Sequence, residues 1–208
     1  GSLTVIVTDE KTQNGVGGIE VVITGPNGYN ETVETGSNGS VEVKDLTLGT
    51  YTVVVNEQKV PTKYEVVDNT PQTSTVEATS APVYEFVLKE KPGSLTVTVV
   101  DAADNQTKVP GATVTITDKA GNLVKEYVTD GSNNPITVGS LTPGDYVVKI
   151  TKTPDGYKES TETKTVTVPA GENKAVVLPL TQVEKGSLSM IVIDERTQSA
   201  VAGATAVV

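Results

Sequence analysis

The chain has 208 residues with no Cys, His or Trp, one Phe, one Met and a formal charge of −10. That composition excludes a disulfide framework and any thiol or imidazole chemistry, and it leaves the redox compartment open. A chain whose single Arg is Arg196 offers no basic patch for nucleic acid or anionic lipid, and no run nears the ~18 apolar residues of a membrane span.

Gly1-Ser2-Leu3-Thr4-Val5 recurs letter for letter at Gly93–Val97 and in drifted form at Gly186–Met190, spacings of 92 and 93 residues. A period of that length is one small domain rather than one turn of a solenoid. The reading is therefore three units: repeat 1 over 1–92, repeat 2 over 93–185, and over 186–208 the truncated start of repeat 3, carrying strand A and most of strand B. The chain is expected to be a piece of a longer array, which also accounts for its lack of a signal peptide and sorting signal. Charge is uneven, with 13 acids against 6 lysines in residues 1–92 and 11 against 9 in residues 93–185.

In repeat 1, Leu3–Thr8 alternates weakly and reads as strand A, buried on both faces or nearly so, and Asp9–Gly17 as a polar loop with an Asn14-Gly15 turn signal. Ile19–Thr24 is strand B, closed by a tight turn at Gly25-Pro26-Asn27-Gly28. Thr32–Thr35 is a short strand, and Ser37-Asn38-Gly39 predicts a hairpin. The next strand turns Val41 and Val43 one way, Glu42 and Lys44 the other. Leu46–Gly49 leads into Tyr51–Asn56, and a Pro61-bearing loop follows. Thr73–Ala78 and Pro82–Lys89 finish the unit, with Tyr84, Phe86 and Leu88 sharing one face.

Repeat 2 follows the same plan, with Leu95–Val100, Ala112–Thr117, a turn at Lys119–Asn122, and closing strands at Val166–Val168 and Ala175–Leu180. Thr129–Asn133 is aligned with Glu34–Asn38, and Leu141–Tyr146 with Leu46–Tyr51. Val and Thr dominate these segments and favour strands. About seven short strands with a turn every ~8–12 residues predict an all-β fold of tandem Ig-like sandwiches. The junctions Leu88–Pro92 and Thr181–Lys185 are too short and stiff for free tumbling, so the sandwiches are expected to stack end to end as a rod.

Three strand-A exits (TVIVTD, TVTVVD, MIVID), the V-x-G-[IA]-x-V pattern at Val16–Val21, Val109–Val114 and Val201–Ala206, Leu-Thr-x-Gly-x-Tyr at Leu46–Tyr51 and Leu141–Tyr146, and Lys152-Thr153-Pro154-Asp155-Gly156-Tyr157 occur in a fixed order. In that combination the chain resembles the collagen-adhesin B-type repeats, the prealbumin-like stalk domains of Gram-positive surface adhesins and pilins. The resemblance implies seven-stranded prealbumin-like sandwiches in a secreted, cell-wall-attached protein. Many members carry an isopeptide bond from a strand-A Lys to an Asn in the last strand, promoted by a buried acid. Here the Lys position holds Val7, Val99 and Val192. The acid four residues before the loop Pro is kept as Glu57 and replaced by Ile150, and no Asn lies in Pro82–Lys89 or Ala175–Leu180. Neither complete repeat is expected to form the bond, and the related ester crosslink uses a His that the chain lacks.

The acidic pairs leaving strand A (Asp9, Glu10; Asp101, Asp104; Asp194, Glu195) supply the hard oxygens that Ca²⁺ takes. Their spacing fits no 12-residue Ca²⁺ loop, and a solvated turn is the preferred reading; no other cofactor or metal is implied. Glu57 is read as an edge charge ahead of a relic acid. Tyr51 and Tyr146 are read as packed rings with hydroxyls on backbone ahead of a ligand platform. With no nucleophile beside a base and no cleft for paired carboxylates, no catalytic residue is expected and the chain is read as no enzyme. The function expected is that of stalk or spacer repeats whose partners are the neighbouring repeats. The alternatives are repeats that bind a host or matrix protein themselves, and a self-assembling extracellular filament.

Overall fold

A computed structural model of the chain describes every residue except 161, 206 and 208. The polypeptide is all-β and folds into two sandwiches. In the first, β1 (Leu3–Asp9), β4 (Ser40–Val43), β6 (Tyr64–Val66) and β8 (Val83–Glu90) form one sheet in the order β4-β1-β8-β6. Facing it, β2 (Glu20–Thr24), β3 (Asn30–Glu34), β5 (Gly49–Val55) and β7 (Gln72–Val76) form the sheet β3-β2-β5-β7. The second sandwich repeats the plan with β12-β9-β15 against β11-β10-β13-β14. Its strands are β9 (Gly93–Asp101), β10 (Thr113–Asp118), β11 (Leu123–Val128), β12 (Ile136–Leu141), β13 (Gly144–Lys152), β14 (Thr163–Val168) and β15 (Asn173–Leu180).

Each core follows from period-2 alternation, because successive side chains leave a strand on opposite faces. Leu3, Val5 and Val7 point inward from β1, and Tyr84, Phe86 and Leu88 from β8, all fully buried against Ile19, Val21, Ile23, Tyr51 and Val53 of the other sheet. Leu95, Val97, Val99, Val114, Ile116, Val148, Ile150, Leu178 and Leu180 do the same in the second sandwich. The first and last strands run parallel, with Val7 opposite Phe86 and Val99 opposite Leu178. Both cores are built mostly of Val, Ile and Leu, with Tyr51, Tyr84 and Phe86 packed into the first and Tyr127 and Tyr146 into the second.

Several expectations need correction. The Ser37-Asn38-Gly39 turn is tight, with the Gly36 N–H donating to Ser40 O at 2.9 Å, but it is not a hairpin. Its strands separate, β3 onto β2 and β4 onto β1, so the turn carries the chain from one sheet to the other. The Pro61 loop holds a strand, β6, paired to β8. Strand β15 starts at Asn173, two residues before the expected Ala175, and so does contain an Asn. The tail departs further: β15 is the last strand among the described residues, and between them 186 and 205 carry only the bridge Ile193↔Ala200. Ala206, the end of the third V-x-G-[IA]-x-V copy, lies outside the described residues.

Tyr127 on β11 is the one residue whose buried hydroxyl finds no partner among the described residues. Burial pushes its ionisation well above the ordinary tyrosine value. An unpaired buried hydroxyl costs roughly 1–3 kcal/mol, so Tyr127→Phe is expected to raise the stability of the second sandwich by about 1 kcal/mol, read as a higher urea midpoint at unchanged slope.

Candidate functional site

Four places in the fold bear on function: the core position two residues before the strand-A Asp, the loop that follows that Asp, the tyrosine turn, and the junction between the sandwiches.

Val7 and Val99 are fully buried in β1 and β9, and their cross-strand partners Phe86 and Leu178 are also buried apolar residues. The acid position shifts on inspection of the register. Tyr51, Val53 and Val55 on β5 correspond to Tyr146, Val148 and Ile150 on β13, since both tyrosines follow the same turn and make the same hydrogen bond. The counterpart of Ile150 is therefore Val55, and Glu57 lies beyond it on an exposed 3-10 turn at Glu57–Lys59. The segment from Tyr51 to Pro61 is two residues longer than that from Tyr146 to Pro154, so equal distances from proline fall on different strand positions in the two units. Asn173 pairs with Ser94, at the far end of β15 from Leu178, and its side chain accepts hydrogen bonds from the Ser94 and Thr96 hydroxyls at 2.8 and 3.0 Å.

The backbone at these positions is satisfied in two ways. In the first sandwich Val7 N–H donates to Gly39 O at 2.8 Å. In the second, Val99 N–H donates to Asn134 Oδ1 at 2.9 Å, and Asn134 Nδ2 donates back to Val99 O at 2.8 Å. A buried side-chain amide thus replaces a peptide group, and Asn69 does the same for Val55, at 2.8 and 2.9 Å. Thr35 and Thr129 make an equivalent contact, each within its own unit. The Thr35 hydroxyl donates to Val16 O and accepts from Ile19 N–H, and Thr129 makes the same pair with Val109 and Ala112. Thr129 therefore aligns with Thr35, one residue on from the expected Glu34.

The strand-A acids are engaged by their own loops. Asp9 Oδ1 accepts from the N–H groups of Lys11 and Thr12 at 3.0 and 2.7 Å and from the Thr12 hydroxyl at 3.0 Å. Asp194 does the same with Arg196 and Thr197 at 3.0, 2.7 and 2.9 Å. In the second unit the work is divided, with Asp101 taking Ala103 N–H and Asp104 taking Gln106 and Thr107 N–H. The Glu10 and Glu195 backbone carbonyls accept from Gln13 and Gln198. Among the described residues no three acidic side chains converge as a metal cage would require.

Asp101 carries a further role that the sequence did not reveal. Its Oδ2 accepts from the Tyr157 hydroxyl at 3.1 Å and from Gln182 Nε2. It ties together the end of β9, the Pro154–Tyr157 turn and the segment leaving β15. The Pro-x-x-Tyr pattern shared by Pro61–Tyr64 and Pro154–Tyr157 was the available signal, because Tyr64 likewise acts on Asp9. Backbone N–H donors, Thr12 foremost for Asp9 and Ala103 for Asp101, hold both carboxyls below the usual 3.8. A depressed folded value contributes stability that is complete above the unfolded value and drains as pH falls through the folded one. Melting temperature is expected to be flat from about pH 7 to 5 and to fall below about pH 4. Asp101→Asn should lower it at neutral pH and flatten the acid limb of the second transition.

Tyr51 and Tyr146 are buried, and their hydroxyls donate to Thr47 O at 3.0 Å and Thr142 O at 2.8 Å. Both are core residues that pin the preceding turn rather than a ligand platform. Gly49 and Gly144, at φ 146° and 151°, let that turn form.

The junction is two residues long, Lys91 and Pro92 between β8 and β9. Lys91 N–H donates to Lys63 O at 2.9 Å in the first sandwich, and Lys91 O accepts from Gly171 N–H at 3.1 Å in the second.

A family model described as the SpaA prealbumin-like fold domain matches residues 1–91 and again 93–181. The chain belongs to that family. Its two SpaA domains are the two sandwiches described above, and the resemblance read from the motifs agrees with the assignment. Among solved structures, the SpaA tandem is similar to the Bacillus anthracis TIE protein, at 27% identity over 88% of this chain and 34% of that one, with a TM-score of 0.57. It spans about a third of that protein's length. It is also similar to GBS52, the minor pilin of Streptococcus agalactiae (16% identity, 91% and 99% coverage, TM-score 0.41), and to the shaft pilin SpaA of Lactobacillus rhamnosus GG (11%, 90% and 99%, 0.39). No curated protein matches the chain.

Proposed function

We propose that these SpaA domains are non-catalytic stalk repeats of a secreted, cell-surface protein of the Gram-positive type, which hold a binding region away from the cell wall. The observation that carries this reading is the junction. Two self-contained hydrophobic cores meet through a two-residue linker whose Lys91 peptide is hydrogen-bonded to both sides. Such a chain transmits position and load from one domain to the next and needs no ligand to do so. Residues 186–208 are read as the start of a third domain, because the Asp194 loop repeats the Asp9 loop bond for bond.

The reading includes domains without internal isopeptide bonds. Apolar side chains occupy both the strand-A position and the position across from it, and Val55 and Ile150 occupy the acid position. A buried Lys amine is made nucleophilic by neutralisation in a dry core and needs a carboxyl to carry protons; neither partner is present at those places. Intact-mass measurement checks this directly. Each bond would release one ammonia, about 17 Da, and a mass equal to that of the sequence is expected. A binding screen of the folded chain against extracellular-matrix proteins separates stalk from adhesin: no saturable binding is expected, and saturable binding by the two domains alone would overturn the spacer role.

A further inference from the structure

Two glycines at the junction have surroundings that no other residue type would fit. Gly171 lies in the turn Pro169-Ala170-Gly171-Glu172 between β14 and β15, at φ +70°. A Cβ built on it would come within 2.8 Å of the backbone oxygen of Thr62, which belongs to the first domain. Gly93, at the start of β9, is buried beneath the same turn, and a Cβ there would strike Pro169 O at 2.3 Å and Val168 Cγ1 at 2.5 Å. Ser94 N–H holds the turn from below by donating to Glu172 O at 2.9 Å. Alignment of the parallel ladders, Thr4↔Val83 with Thr96↔Ala175, places Thr79 of the first domain at the position of Gly171. The first-domain turn has no residue at positive φ among those described, so the glycine is not a general requirement of this turn.

We propose that Gly171 is the locking residue of the inter-domain joint: its turn docks into a socket made by Thr62, Lys63 and Lys91 of the preceding domain. Gly171 N–H donates to Lys91 O at 3.1 Å, and the missing Cβ permits backbone-to-backbone contact with Thr62. Lys91 O accepts that bond while Lys91 N–H donates to Lys63 O, so the socket is itself fixed. Pro92, with no N–H and a restricted φ, removes freedom from the only other linker residue. This inference rests on the same junction as the stalk reading and deepens it; the distance measurement below tests the joint and the matrix-binding screen tests the role, so the two failures are distinguishable.

The test uses the full chain, whose lack of cysteine allows two spin labels to be placed without background. With labels at Glu31→Cys and Lys125→Cys, one on each domain, electron–electron distance measurements on the parent are expected to give a single narrow distribution. Gly171→Asn keeps a residue type that tolerates positive φ but adds the Cβ that meets Thr62. It is expected to broaden the distribution at least two-fold while both domains keep their melting transitions. A broad parent distribution, or a variant as narrow as the parent, would overturn the proposal. Amide hydrogen exchange on the unlabelled parent gives a second reading that needs no variant. Slow exchange of Gly171 N–H supports the lock, and exchange at the rate of a free peptide refutes it.

Discussion

Gly39→Val is expected to unfold the first domain or to lower its stability by about 4 kcal/mol, and Gly39→Ala by about 3 kcal/mol, while the second domain keeps its own transition. Two costs add. Gly39 sits at φ +76°, which costs a residue with a Cβ roughly 1–2 kcal/mol. A Cβ would also lie 2.4 Å from Gly15 Cα and 2.5 Å from both Val16 N and Val7 O, all of them backbone atoms. Overpacking against atoms that cannot turn away costs about 1–3 kcal/mol more. The carbonyl of Gly39 serves Val7 N–H, so any shift that relieves the clash also exposes a buried donor. Denaturant unfolding followed by a probe confined to the first domain measures the loss. A change below about 1 kcal/mol would mean that the turn repacks freely.

Phe86→Ala is expected to cost the first domain about 3–5 kcal/mol, the range for removing a buried Phe. Phe86 is 1% exposed in the central strand β8, directly opposite Val7, and it is the only Phe in the chain. Its counterpart Leu178 fills the same place in the second domain with a smaller side chain. The collapse that could soften the loss is limited, because both neighbouring strands are pinned by parallel and antiparallel ladders. Phe86→Leu, which copies the second domain, is expected to cost less than half as much. Two-transition melting of the tandem gives both values in one experiment, with the second domain as internal reference.

The alternation of Tyr84, Phe86 and Leu88 made strand and shared face legible, because period 2 is a property of one strand read alone; strand A, whose weak alternation suggested burial on both faces, buries Leu3, Val5 and Val7 and leaves Thr4, Ile6 and Thr8 half-buried. Which strand pairs with which is not a local property. Ser37-Asn38-Gly39 has the composition of a hairpin and the geometry of a tight turn, yet its two strands join different sheets. Leu-Thr-x-Gly-x-Tyr was legible for a related reason: glycine, ring and acceptor carbonyl all lie within six residues. The amides of Asn69 and Asn134 reach backbone 14 and 35 residues away, and no pattern along the chain records that span. The acid position was misplaced at Glu57 because counting ran through a loop whose length differs between domains; the sheet register, which loops do not alter, puts it at Val55. Gly171 was invisible for the same reason as the amides, since its neighbour Thr62 belongs to the other domain.

The loop at Asp194 has the hydrogen bonds of the loop at Asp9 although no strand lies beside it: Asp194 N–H donates to Ser199 O at 2.9 Å and Val201 N–H to Val192 O at 2.8 Å, as Asp9 does to Asn14 and Val16 to Val7. All of these bonds fall within the ten residues Val192–Val201. During synthesis each repeat would emerge from the ribosome with its first reversal of direction already made, before the strands that will flank it have been translated. Closing a short loop costs little chain entropy and is fast. In an array of like repeats, the chief folding error is a strand pairing with its neighbour's sheet. A reversal encoded within each repeat's opening residues turns strand B back toward the facing sheet of its own unit before a foreign partner is within reach.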